Sequence, residues 1–166
     1  MCIRDSFTTA HFEQLTKCLS EDNCPVQNLF FDWNPLYGEY ITSKGFDNVP
    51  YVPGQEDLSL FAKLISDAKK LQVAFFRHSG LVDRDLMEIS RVLKPEAGLQ
   101  MNRNLKVLDL SYNSFSGECV QEFSSVLEVN RNLEFVGLAK NSLTSEDVLP
   151  LLRFFGRVPF PADKVT

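Results

Sequence analysis

The chain repeats itself, and no other feature limits its folding as much. Asn102-Arg103-Asn104-Leu105 returns 28 residues later as Asn130-Arg131-Asn132-Leu133. The segments that follow are LKVLDLSYNSF from Leu105 and LEFVGLAKNSL from Leu133. Both read L-x-x-L-x-L-x-x-N-x-L, with Val136 in the second Leu slot and Phe115 in the last slot of the earlier copy. Two looser copies lie upstream. Leu71 to Leu81 reads LQVAFFRHSGL, with Ala74 and Phe76 at the apolar slots and Ser79 at the Asn slot. Val26 to Leu36 reads VQNLFFDWNPL, with Leu29, Phe31, Asn34 and Leu36 in place.

Each slot has a physical reading. Apolar residues two apart, such as Leu108 and Leu110, predict a short strand with one face buried. The Asn slot falls where the chain bends out of the strand, and an amide side chain there satisfies backbone groups the bend would orphan. Asn34, Asn113 and Asn141 suit that structural-turn role, and Ser79 suits it less well. Between copies the spacing turns helical. Leu58, Phe61, Leu64 and Ile65 share one face; so do Leu86, Ile89, Val92 and Leu93, and Val120, Phe123, Val126 and Leu127. A last face of Val148, Leu151, Leu152 and Phe155 follows a Ser145-Glu146-Asp147 start suited to a helix N-terminus, with Pro150 expected near the first turn. His11, Phe12, Leu15, Cys18 and Leu19 suggest a helix before the first strand.

The expected order is one helix and then four strand-helix units. Stacked, they form an α/β solenoid with a parallel sheet on the concave face and helices on the convex face. This pattern resembles the ribonuclease-inhibitor-like class of leucine-rich repeats. The resemblance covers Val26 to Gly156 and implies a fragment with four repeats. Two insertions break the period. From Val26 to Leu71 is 45 residues, a surplus of 17 that falls in a loop over residues 37–57 carrying Tyr37, Tyr40, Phe46 and Tyr51. The second surplus, of 6, falls around Lys94 to Met101. The repeat domain is expected over residues 7–156, with a tail at 157–166 where Pro161 does not begin a fifth copy. Met1-Cys2-Ile3-Arg4-Asp5-Ser6 resembles the translation of a transposase end sequence used in sequencing libraries, so residues 1–6 are expected to be a non-native leader.

The resemblance implies a protein-interaction scaffold and no catalysis. The strand residues between the buried slots would point into the concave face: Phe30, Asp32 and Trp33; Phe75, Arg77 and His78; Asp109, Ser111 and Tyr112; Phe135, Gly137, Ala139 and Lys140. From these, Phe30, Asp32, Trp33, Phe75, Arg77, His78, Asp109, Tyr112 and Lys140 are the expected partner-binding residues, because exposed aromatics with a few charges make interface hot spots. The plainer alternative is that some of these rings pack as core. Two further readings stay open. One is a structural segment of a larger array. The other is a regulator of a small GTPase, since the GTPase-activating family of this repeat class carries an Arg directly before the Asn of one repeat. The matching slots here hold Trp33, His78, Tyr112 and Lys140, and none is Arg.

Composition narrows the rest. Net charge is −5 without a basic block, which argues against nucleic acid and anionic membranes as partners. No apolar stretch is long enough to span a bilayer. Cys2, Cys18, Cys24 and Cys119 fit neither a zinc pattern nor a disulfide framework, so no metal site is expected and a reducing, cytoplasmic setting is favoured, cytoskeletal or ciliary placement included. His11 and His78 lack a nucleophile in a known motif, and no phosphate-binding glycine loop occurs. Cofactors and small-molecule substrates are therefore not expected. Cys119 sits near a helix start, a position that lowers a thiol pKa, although packing is the commoner role of such a residue.

Overall fold

Three-residue strands form where each copy alternates. In the computed structural model, which describes residues 9–33, 60–95 and 102–156, β1 is Asn28–Phe30, β2 Val73–Phe75, β3 Val107–Asp109 and β4 Phe135–Gly137. They form one parallel sheet in chain order. Leu29 pairs with Ala74, Ala74 with Leu108, and Leu108 with Val136. The second apolar slot of all four copies thus falls on one line across the sheet. Parallel neighbours need a crossover. The helices are α1 (Thr9–Ser20), α2 (Leu60–Asp67), α3 (Asp83–Leu93) and α4 (Gly117–Val129), and each packs on the next.

The core lies between the sheet and these helices. Leu71, Leu105 and Leu133 lead their copies from buried positions, and Phe76, Leu108, Leu110, Phe115 and Val136 lie beneath the strands and bends. The helical faces read from spacing are buried as expected in α3 and α4, and in α2 for Phe61, Leu64 and Ile65. At the first copy Leu is replaced by Phe, and Phe12, Phe31, Phe61 and Phe76 pack edge to face or tilted, with centroids 4.9–6.5 Å apart. Such pairs add about 0.5–1.5 kcal/mol beyond their buried area.

The observed packing corrects four expectations. Val26 is exposed, so the first copy has no counterpart of buried Leu71. In α1 the inward face is Phe12, Thr16 and Leu19, whereas His11 and Cys18 point outward. Thr16 tolerates burial because its hydroxyl donates to Phe12 O at 2.9 Å. The last helix is broken: α5 (Ser145–Val148) and α6 (Leu152–Phe155) flank a 3₁₀ turn, Leu149–Leu151, that contains Pro150. Proline has no N–H to continue the α-helical ladder, and the break rotates the face. Leu151 and Phe154 are buried, while Val148 and Leu152 are exposed.

The helix starts show how one substitution is absorbed. The third residue of α3 is Asp85, whose carboxylate accepts from Val82 N–H at 3.0 Å. Asp147 does the same for Thr144 N–H at 2.7 Å. In α4 that slot holds Cys119. There Asp83, on the neighbouring helix, accepts from Ser116 N–H at 2.7 Å and from the Ser116 hydroxyl at 2.5 Å. Burial raises the Asp83 pKa, but these bonds outweigh it and hold the carboxyl below its usual range.

The expected leader at residues 1–6, Asn34, Leu36, the loop at residues 37–57, Leu58, Met101 with residues 96–100, and the tail at residues 157–166 lie outside the described residues.

Candidate functional site

The sheet face turned away from the core is open at one side and closed at the other. Phe30 is 63% exposed and meets the half-buried Phe75 edge to face at 5.0 Å. One strand further, Asp109 is buried. Its carboxylate lies over Gly137, where an added Cβ would stand 2.3 Å from Asp109 Oδ1. Asp109 Oδ1 accepts from Ser111 N–H at 3.0 Å. Ser111 and Gly137 are themselves buried, unlike the exposed positions expected from alternation.

The charges on this face engage one another. Arg77 donates to Asp32 Oδ2 from Nη2 at 2.6 Å and from Nε at 3.0 Å, and its backbone N–H reaches Asp32 Oδ1 at 3.0 Å. Asp109 Oδ2 lies 3.9 Å from Arg77 Nε. The guanidinium stands 5.1 Å above the Phe75 ring centroid, within cation–π range. The hydrogen bond to Asp32 chiefly raises the Arg77 pKa, so the charge is permanent. Three expected contact residues are therefore tied into one internal cluster, and Asp109 is largely withdrawn from solvent.

Beyond the strands a row of unusual backbone appears. Trp33, His78, Tyr112 and Lys140 all have φ between 54° and 61°. This left-handed region costs a residue with a Cβ roughly 1–2 kcal/mol. The slot is the same in every copy, directly before the Asn or Ser of the bend. The sheet ladder continues through it. Trp33 N–H donates to Arg77 O at 2.9 Å, His78 N–H to Ser111 O at 3.2 Å, and Tyr112 N–H to Ala139 O at 2.8 Å. All four residues are exposed, Trp33 at 52% and Tyr112 at 48%. The Trp33 and His78 rings lie 4.1 Å apart, tilted by 46°. Phe135, 48% exposed at the start of β4, adds a further ring on the outer face.

What holds the bends in place is the following residue. Asn113 Oδ1 accepts from Ser79 N–H and Leu81 N–H, both at 3.1 Å, and Nδ2 donates to Phe76 O and Leu110 O, both at 2.9 Å. Asn141 repeats the set one copy on, with Asn113 N–H, Phe115 N–H, Leu110 O and Leu138 O. Ser79 is shorter and donates to Phe31 O at 3.0 Å.

The Asn-Arg-Asn-Leu recurrence marks a second amide series, whose role its spacing alone does not give. Asn102 Oδ1 accepts from Asn104 N–H and Leu105 N–H, while Nδ2 donates to Ala68 O and Leu71 O. Asn130 accepts from Asn132 N–H and Leu133 N–H and donates to Leu93 O. These side chains clamp the entry of a strand to the end of a helix in the preceding copy. The Asn-Arg-Asn-Leu recurrence was the available signal.

Cys119 is buried, and its thiol is pushed up to about 12 by desolvation and by neighbouring Asp83. That is opposite to a helix-start activation. Among the described residues no cluster of three His, Cys, Asp or Glu is placed to hold a metal ion. No described helix is long and apolar enough to cross a membrane.

Residues 104–126 match the family model described as Leucine Rich Repeat. No curated protein matches the chain. The family match supports a leucine-rich repeat protein, and such repeats generally mediate protein–protein interaction.

Proposed function

We propose that the chain is a protein-interaction module built as a four-copy leucine-rich-repeat solenoid of the ribonuclease-inhibitor-like class, acting inside the cell without catalysis. The partner protein would dock on the outward sheet face and on the bends after the strands. The observation that carries this reading is the exposure of bulky rings on one face: Phe30 at 63%, Trp33 at 52%, Tyr112 at 48% and Phe135 at 48%. Apolar groups held in water at that extent are stabilised by being covered. The strained backbone supports it further. A bend alone favours Gly or Asn in a left-handed slot, yet Trp33, His78, Tyr112 and Lys140 stand there. Strain retained under large side chains points to a use for those side chains.

The test is the double variant Trp33→Ala/Tyr112→Ala, compared with wild type in a pull-down after circular dichroism has shown the fold intact. Loss of a bound partner with the fold retained supports the reading. Retention of every partner rejects this face as the interface and favours a structural segment.

A further inference from the structure

Building on the reading of this face as a protein-binding surface, we propose that its occupant is an extended, proline-containing segment in the polyproline II conformation. The segment lies across the strands along Trp33, His78, Tyr112 and Lys140, with an acidic residue over Lys140.

The row has a fixed pitch. Its members are joined by the continued backbone ladder, Trp33 to Arg77, His78 to Ser111 and Tyr112 to Ala139, so each step is one strand spacing, about 4.8 Å. Two steps, from Trp33 to Tyr112, span roughly 9.5 Å. A polyproline II helix presents the same side every three residues, at about 3.1 Å per residue or roughly 9.3 Å. One proline over Trp33 thus places the residue three further on over Tyr112. A β-strand ligand would not match, because its side chains return to one face every two residues, at about 6.6 Å.

The chemistry of the row fits the same ligand. The Trp33 and His78 rings pack on each other at 4.1 Å with a 46° tilt, and a pyrrolidine ring can pack against the exposed side of the pair. The indole N–H and the Tyr112 hydroxyl are donors, and a polyproline II backbone leaves its carbonyls unbonded. Such a segment is ordered before binding, so little entropy is lost on docking.

Charge complementarity sets the direction. Arg77 pairs with Asp32 and lies 3.9 Å from Asp109, so this cluster keeps one net negative charge and an acidic ligand residue is favoured at the far end of the row. Lys140 is exposed and has no ion-pair partner among the described residues. It stands one strand beyond Tyr112, about 14 Å from Trp33. The fourth or fifth residue after the first proline reaches about 12–16 Å, and an acidic side chain there meets the ammonium.

The experiment uses the full chain and two probes. A displayed random library of dodecapeptides is selected on wild type and counter-screened on Trp33→Ala/Tyr112→Ala. The peptide GPAAPAEG is then titrated against the emission of Trp33, the single tryptophan of the chain, with GAAAAAEG as control. We expect selected peptides to carry prolines three apart and an acid four or five positions after the first. GPAAPAEG should change the emission saturably and the control should not. Tyr112→Ala and Lys140→Glu should each weaken binding about tenfold, as truncation of an interface anchor does. Ring-dependent ligands without that proline spacing, or equal binding of the control, overturn the polyproline assignment and leave the face intact as a protein-binding surface. A library with no ring-dependent ligand overturns both.

Discussion

Replacing Asn113 with Ala removes one buried side chain and strands several backbone groups at once. Its Oδ1 is the acceptor for Ser79 N–H and Leu81 N–H, and its amide nitrogen serves Phe76 O and Leu110 O. A carbonyl has a second lone pair, so the two donors dominate the loss. At about 1–3 kcal/mol for each buried group left unsatisfied, they alone give about 2–6 kcal/mol. That is a large share of the roughly 5–15 kcal/mol that holds a domain together. Asn113→Ser should recover only about 1 kcal/mol, because Ser79 shows what a hydroxyl does in this slot: it donates once, to the preceding copy, at 3.0 Å. Asn141 makes the same set of bonds from a half-buried position, so Asn141→Ala should cost less, since water replaces part of what is lost. The assay is urea denaturation followed by far-UV circular dichroism, with the slope checked for constancy. A loss under about 0.5 kcal/mol for Asn113→Ala would refute the claim that this amide holds the bends.

Four other outcomes are expected. Leu108→Ala, in the middle of β3 with no exposed surface, should lose about 2–5 kcal/mol in the same titration, and a near-zero change would contradict the strand register. Gly137→Ala should destabilise by about 1–3 kcal/mol, because its Cβ would stand 2.3 Å from Asp109 Oδ1; a neutral result would show Asp109 free to move away. Lys140→Gly should raise stability by up to about 1 kcal/mol by relieving a left-handed φ of 58°, and a lower urea midpoint would argue against strain there. Asp83 is held below its usual pKa by Ser116. Its contribution is therefore complete above the unfolded value of about 3.9 and drains away as pH falls below that toward the folded value. Melting temperatures from pH 5 downward should fall less steeply for Asp83→Asn than for wild type, and parallel curves would dismiss the bond.

The buried lattice could be read from the letters, because core positions are set by period. Leu71, Leu105, Leu108, Leu110 and Leu133 announce themselves by spacing, and the faces of α3 and α4 follow the 3.6-residue turn. What could not be read arises from pairs of residues rather than from single ones. Asp109 looks like a surface charge until Gly137, 28 residues later, leaves room for it to fold down. Cys119 resembles any thiol at a helix start until Asp83 of the neighbouring helix is known to sit beside it. The positive φ at Trp33, His78, Tyr112 and Lys140 was hidden for the opposite reason: none of these residues advertises a left-handed backbone. Asn102 and Asn130 repeated visibly, yet a clamp needs both ends, and the helix carbonyls they hold carry no side-chain signature.

The amide ladder at the bends also has a polarity. In each rung the side chain belongs to the later copy and the protected N–H groups to the earlier one: Asn113 guards Ser79 and Leu81, and Asn141 guards Asn113 and Phe115. Protection of these N–H groups therefore runs one way along the array, like the overlap of roof tiles. Melting the first copy leaves the amides of Ser79 and Leu81 under their guard. Melting the fourth uncovers those of Asn113 and Phe115, whose exchange with solvent deuterium should then quicken before that of any bend upstream.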